Sequence, residues 1–366
     1  MVAAALLSVS YAAPARAANV FWDANGSVAG LGGAGIWNAT SGTTWLDVGT
    51  ATTAIGTETP ADFTFSNNSI AYFAGTAGEV DLGSNVTVGG LVFQTTGYDI
   101  VGAGNTLTLA APTGAFAPAI SVSLAQSARL STQLAGTSGF VKIGDGTLVL
   151  GNAANTFTGD IGIRAGTLVV TNAGQLGLGT TAISVTGWAQ TGNPGFSSGA
   201  LLLQGVVNTD LSLSASQAGI TINRQVTVSG DGATPVNYGG SLISVGYNTL
   251  AGGLVFGANF TESRIWSAYG ATTISGQLQI GTTQSNNFNG NGNWIISGLV
   301  TGTENANSRF IKLGALITTT LWLQNAANNM YQSINVSGGT VRVSNNGALG
   351  NNTGTAMLTL TNSGVE

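Results

Sequence analysis

The feature that most constrains this chain is that it repeats itself. Ser138-Gly139-Phe140-Val141-Lys142-Ile143-Gly144 returns 170 residues later as Ser308-Arg309-Phe310-Ile311-Lys312-Leu313-Gly314. After three extra residues, Leu148-Val149-Leu150-Gly151-Asn152-Ala153-Ala154-Asn155 aligns with Leu321-Trp322-Leu323-Gln324-Asn325-Ala326-Ala327-Asn328. The register then carries Gly166, Thr167, Val170, Asn172, Gly174, Leu176 and Gly177 onto Gly339, Thr340, Val343, Asn345, Gly347, Leu349 and Gly350, so the two copies span 138–177 and 308–350. A weaker echo links Gly89-Gly90-Leu91-Val92-Phe93 with Gly252-Gly253-Leu254-Val255-Phe256. A unit of about forty residues that recurs is the mark of a chain whose parts cannot bury their own apolar faces and must stack to do so.

The local pattern within the unit is strand. Apolar residues alternate with Thr, Ser, Gln and Asn in Asn85–Val88, Leu107–Leu109, Thr147–Leu150, Thr167–Val170, Gln277–Ile280 and Met357–Leu360, and each run ends near Gly, Asn or Asp. No stretch keeps a helical period. Sandwiches and barrels are the other all-β solutions, but a single sandwich of this length is too large and several would leave linkers, of which there is no trace. The expected fold is a right-handed, single-stranded parallel β-helix of 14–17 coils of about 20–25 residues, with an N-terminal cap. Gly and Asn would turn the corners, Gly because a positive φ costs it little.

Composition fits a stack of this kind and narrows the chemistry. Only 6% of residues are charged, and like charges piled at strand spacing would repel. With no Cys and no His, thiol nucleophiles, disulfides, imidazole bases and ordinary zinc sites are excluded, and no cofactor is expected. Nine Lys and Arg, scattered singly against fourteen Asp and Glu, form no track for nucleic acid. Residues 1–17, MVAAALLSVSYAAPARA, read as an export signal with cleavage after Ala17, although nothing basic precedes the apolar run. No later stretch is apolar for the eighteen or so residues that a membrane-spanning helix needs. The expected layout is the signal at 1–17, a Trp- and Gly-rich capping region at 18–75, and coils from 76 to 366.

The segment from Gly139 to Val170 resembles the autotransporter-associated β-strand repeat of bacterial surface proteins. That family's pattern is met here by Lys142, Gly144, Gly146, Thr147, Leu148, Leu150, Asn155, Thr156, Phe157, Thr158, Gly159, Ile163, Gly166, Thr167, Leu168 and Val170. The second copy is degenerate, keeping Lys312, Gly314, Asn328, Gly339, Thr340 and Val343 but replacing the Thr-Phe-Thr-Gly turn. The resemblance implies a β-helical passenger exported by a Gram-negative-type bacterium and displayed by an outer-membrane barrel encoded beyond this chain, which stops in mid-repeat at Glu366. It implies a rigid stalk or adhesin whose partner is a surface ligand such as a glycan or another cell.

Other readings compete. Glu79 and Asp81, two apart on one strand, are the best acidic pair for a polysaccharide-active β-helix, but a lone pair is usually solvated decoration. Asp145 and Asp231, each between glycines, read as turn residues. Gly30–Gly35 fits a phosphate-loop spacing that a Gly-rich chain produces by chance. A sheath or surface-layer component is the third alternative. Trp22, Trp37 and Trp45 cluster in a polar region and serve either as a cap over the first coil or as a platform for sugar rings, the cap being favoured. Lys142 and Lys312, the only two lysines, are expected to share a role at a coil corner.

Overall fold

A computed structural model describes residues 19–24, 30–39, 44–47, 64–115, 117–186, 198–205, 219–232, 239–257, 262–281, 285–302, 309–312, 319–330, 333–350 and 358–360. The export segment 1–17 and Gly314 lie outside the described residues, and Lys312 is described in its backbone only. Within them the chain winds through three strand faces in turn. The first face is built by Ile70–Phe73, Gly90–Phe93, Ala119–Val122, Phe140–Ile143, Ile161–Ile163, Ile183–Thr186, Val226–Ser229, Leu254–Phe256, Leu278–Ile280 and Val300–Gly302, each paired parallel with the next. The second face runs from Gly35–Trp37 through Glu79–Leu82, Tyr98–Val101, Ser127–Leu130, Thr147–Leu150 and Gly166–Val170 to Leu358–Leu360. The third is made of Val86–Val88, Thr106–Leu109 and Gln133–Ala135 early in the chain, and of Thr221–Ile222, Asn293–Ile296, Thr320–Leu323 and Thr340–Val343 later. This is the parallel β-helix that the alternation and the repeat require.

Stacking explains why these short strands are stable. On the first face Phe140, Ile161, Ile183, Val226, Leu254, Leu278 and Val300 stand directly above one another and are all fully buried. On the second, Leu148, Leu168, Leu201, Leu242, Ile265 and Phe288 form a similar column. Each such side chain contributes about 1.5–3 kcal/mol by leaving water, which three- to five-residue strands could not secure in isolation.

The coils are less uniform than the sequence led us to expect. Starts on the first face fall at Ile70, Gly90, Ala119, Phe140, Ile161 and Ile183, but the next is Val226, so one coil makes a long excursion. Thirteen strands follow one another on the second face among the described residues. At about 4.8 Å per rung the stack is roughly 60 Å long, shorter than the 14–17 coils expected.

In the middle of the stack two long strands, Leu242–Leu250 and Glu262–Ile274, run without a break from the second face onto the third. Gly246 and Gly270 take positive φ at the bend, and the register between the two strands shifts at Ser244/Val245. A buried polar network lines the inside of this bend: Thr272 Oγ1 lies 2.7 Å from Ser244 Oγ, and Asn248 Nδ2 donates to Ser244 Oγ and to the carbonyls of Leu203 and Val245. Among the described residues the only helical pieces are two 3-10 turns, Ala173–Leu176 and Asn346–Leu349, each at the close of a repeat copy.

Candidate functional site

The repeat motif builds coil corners. Gly144 and Gly166 turn the chain from the first face to the second with φ near +70°, and the space where a Cβ would sit is filled by the backbone of the coil before. Gly146 has ordinary φ but its missing Cβ leaves room for the carbonyls of Ser123 and Gln126. Gly159 plays the same part against Ser138 and Gly139. Leu148, Leu150, Leu168 and Val170 point into the core, while Thr147 and Thr167 stack on the outer side, where Thr167 is covered.

Asn155 is the most informative member of the motif. It is buried, its Oδ1 accepts from the Leu134 N–H one coil back at 2.8 Å, and its Nδ2 donates to the Gln175 carbonyl one coil ahead at 2.8 Å. One amide thus pins three successive coils. In the second copy Asn328 accepts from the Val300 N–H at 2.9 Å and donates to the Ala348 carbonyl at 2.8 Å. Asn152 and Asn325 also agree, each donating to a serine carbonyl one coil back and accepting from a backbone N–H two residues ahead. We expect Asn155→Ala to orphan one buried N–H and one buried carbonyl and to lower unfolding stability by about 2 kcal/mol or more, read from the urea midpoint.

Lys142 lies inside the stack and not on its surface. Its strand neighbours across the coils are Ile120 and Ile163, so it occupies a place in an apolar column, and it is fully buried. The ammonium reaches the corner from within and donates to the carbonyls of Ile143 at 2.9 Å, Gly144 at 2.6 Å and Ala165 at 3.0 Å, using all three N–H groups and tying two coils together. Lys312 stands by register between Phe288 and Val336, which are both interior positions. Burial pulls the Lys142 ammonium down to about 7, while Asp145 opposes the fall. The free chain holds a lysine proton up to its ordinary 10.5, so between pH 7 and 10.5 the unfolded state binds more protons and stability rises with pH. Tyr98, whose hydroxyl donates to the carbonyls of Ala74 and Thr76, is pushed up by burial and by Asp23, which reverses the sign above its ordinary 10.0. The urea midpoint should therefore climb from pH 7 toward 10, and Lys142→Met should remove most of that slope.

The two repeat copies share local structure but not position around the stack. In the first, Phe140–Ile143 lies on the first face, Thr147–Leu150 on the second and Asn155 beside the third. In the second, Arg309–Lys312 lies on the second face, Thr320–Leu323 on the third and Asn328 beside the first. The motif encodes strand, corner, strand and asparagine pin, and it fits any of three nearly equivalent faces. Gly339 repeats the positive φ of Gly166, and Thr340 follows it into the strand as Thr167 follows Gly166. Val343, expected inside, is 42% exposed because its strand pairs on one side only among the described residues.

The aromatic cluster is placed inside. Trp22, Trp37 and Trp45 are 0, 0 and 2% exposed, which corrects the reading of these rings as a sugar platform: their faces are taken by one another, Phe65 and Phe73 at centroid distances of 4.7–6.3 Å. Trp22 Nε1 also donates to the Gly33 carbonyl. Trp45–Asp47 pairs antiparallel with Asn19–Trp22 at the end of the first face, so the row of parallel strands stops there. Glu79, Asp81 and Asp99 lie on the outer side of the second face. Glu79 stands beside Asp99 of the next coil, Asp99 accepts from Ser131 and faces Arg129 at 3.5 Å, and Asp81 shares the outer side of the Glu79 strand. Asp145 is an exposed corner residue. Burial and the neighbouring Glu262 push the Asp231 carboxyl up, with Arg264 opposing. Among the described residues no three Asp or Glu converge as a metal site, and no helix is long and apolar enough to cross a membrane.

Comparison with known proteins places these corners in context. The passenger-associated-transport-repeat family matches residues 140–170, the stretch that carries Lys142, Asn155 and the corner glycines. The adhesin BmaC autotransporter of Brucella suis biovar 1 (strain 1330) is 34% identical over 313 residues, which is 80% of this chain and 8% of that protein. The chain thus spans less than a tenth of the relative's length, and no solved structure matches it. The chain thus carries a passenger-associated transport repeat and is similar, over four-fifths of its length, to one part of an autotransporter adhesin.

Proposed function

We propose that the chain is a non-enzymatic, adhesin-like section of a cell-surface passenger, held away from the cell as a stiff rod and displayed by an outer-membrane barrel. The observation that carries this reading is identity with a named autotransporter adhesin along four-fifths of the chain. The parallel stack supports it, since a rod of paired strands tied by Asn155, Asn328 and Lys142 keeps its length without a globular core. In the same reading residues 1–17 direct export, and the Trp22, Trp37 and Trp45 cluster with its antiparallel strand closes the first coil, as a solenoid end requires.

The test is display of the full chain on a non-adherent Gram-negative host through a carrier barrel. Adherence of those cells to epithelial monolayers or matrix-coated wells, with a mature N-terminus at Ala18 by mass spectrometry, is the expected result. Cells that display the chain and adhere to nothing would overturn the adhesive role.

A further inference from the structure

The third face is interrupted where the first repeat copy ends. The 3-10 turn Ala173–Leu176 stands where a strand would, held by Asn172, which caps it, and by Gln175, whose Oε1 accepts from the N–H groups of Thr171 and Asn172. The next described strand of this face, Thr221–Ile222, pairs among the described residues with Leu242–Leu250 on one side only. A cleft of about 310 Å³ opens between the turn and the strand edge. That volume suits one sugar ring.

The lining has a defined chemistry. Leu178, 66% exposed, supplies apolar surface, while the exposed Thr180, Thr221 and Asn223 supply hydroxyl and amide groups. Arg224 supplies the one charge, and no carboxylate lines the cleft of a chain whose net charge is −5. Arg224 as a residue is 6% exposed, and its guanidinium is held by four bonds: Nε donates to the Thr181 carbonyl at 2.8 Å, Nη1 to the Leu176 carbonyl at 3.0 Å, and Nη2 to the Gly159 carbonyl and Thr181 Oγ1 at 3.2 Å. Four of its five N–H groups are thereby used, and one on Nη1 remains. Asp160 acts on it through space only, and burial lowers its proton affinity. A preoriented, dehydrated guanidinium with one N–H to give favours an anion, and hydroxyls around it favour a polyol.

We propose that this cleft binds an acidic sugar, its carboxylate at Arg224, its hydroxyls on Thr180, Thr221 and Asn223, and its apolar face on Leu178. The proposal deepens the adhesive reading and rests on it. The probes are methyl β-glucuronide, methyl β-galacturonide and N-acetylneuraminic acid, with methyl β-glucoside as the uncharged control, measured against the full chain by saturation-transfer NMR. The expected result is transfer to at least one acidic sugar, binding at least ten-fold weaker for the glucoside, and weakening in high salt. Thr221→Trp fills the cleft from an exposed position without touching the Arg224 bonds, so it should abolish transfer while the β-sheet circular dichroism is kept. Absence of transfer to all three acids, equal transfer to the glucoside, or transfer that survives Thr221→Trp overturns the site. Displayed cells that still adhere with Thr221→Trp overturn the cleft as the adhesive contact and leave the adhesive role standing. Sugar binding by a chain whose displayed cells never adhere overturns the adhesive role alone.

Discussion

Gly166→Ala is expected to lower unfolding stability by about 3–5 kcal/mol, although it adds one methyl group. The φ of Gly166 is +65°, a region that costs a residue with a Cβ about 1–2 kcal/mol before any contact is considered. The added carbon would also lie 2.3 Å from the Gly146 carbonyl oxygen and 2.5 Å from that of Gly144. Those are backbone atoms of the coil before, so relief requires the two coils to part. Parting them stretches the Thr167 N–H to Gly146 hydrogen bond and pulls the Ala165 and Gly144 carbonyls from opposite sides of the Lys142 ammonium. An ammonium buried without its acceptors adds its own penalty. Gly162→Ala is the control. Gly162 has ordinary φ, faces outward, and a Cβ there meets only the Val141 side chain at 3.5 Å, so its effect should stay within about 0.5 kcal/mol. Urea denaturation of both variants checks the pair. Equal midpoints would mean that the corner is slack and that the motif glycines do not set the coil spacing.

The same corner shows why some of this structure was legible in the residues and some was not. Alternation names the inward set with little ambiguity, because a strand has a period of two and only one side is dry; Leu148, Leu150, Leu168 and Val170 are all where the alternation puts them. The role of Lys142 is hidden by the same rule, which places it in phase with Phe140 and so inside, against the general expectation that a lysine faces water. Only the carbonyls of Ile143, Gly144 and Ala165, brought together by the turn, make that position tolerable. The offset of the second copy by one face is invisible for a different reason. Sequence similarity reports local path, and the azimuth of Asn328 depends on the residues accumulated over the intervening coils, including the excursion before Val226 and the two bent strands. Arg224 carried no signal either, since its partners Gly159, Leu176 and Thr181 lie 43–65 residues away and offer only main-chain carbonyls and one hydroxyl.

Trp37→Ala should have an effect of similar size at the first strand of the second face, but a local one. Trp37 is fully buried among Trp45, Phe65 and Phe73, with centroids at 5.0, 4.9 and 5.8 Å, and truncating a core aromatic costs about 3–5 kcal/mol. Its indole N–H has no hydrogen-bond partner among the described residues, so Trp37→Phe, which keeps a ring and removes that group, should cost distinctly less. In a solenoid each coil leans only on its neighbours, and damage is expected to decay along the axis. Hydrogen exchange resolves this: amides in Asn19–Trp22, Ile70–Phe73 and Glu79–Leu82 should lose protection in Trp37→Ala, while those of Phe140–Ile143 and Gly166–Val170 keep theirs. The column from Phe73 to Phe93, stacked at 4.9 Å, and on to Val122 is the route by which the loss would travel if it does. Uniform loss of protection along the whole chain would show instead that the aromatic cluster is the nucleus on which every later coil depends. Unfolding would then be all-or-none from the N-terminal end, and the Asn155 and Lys142 ties would serve spacing more than stability.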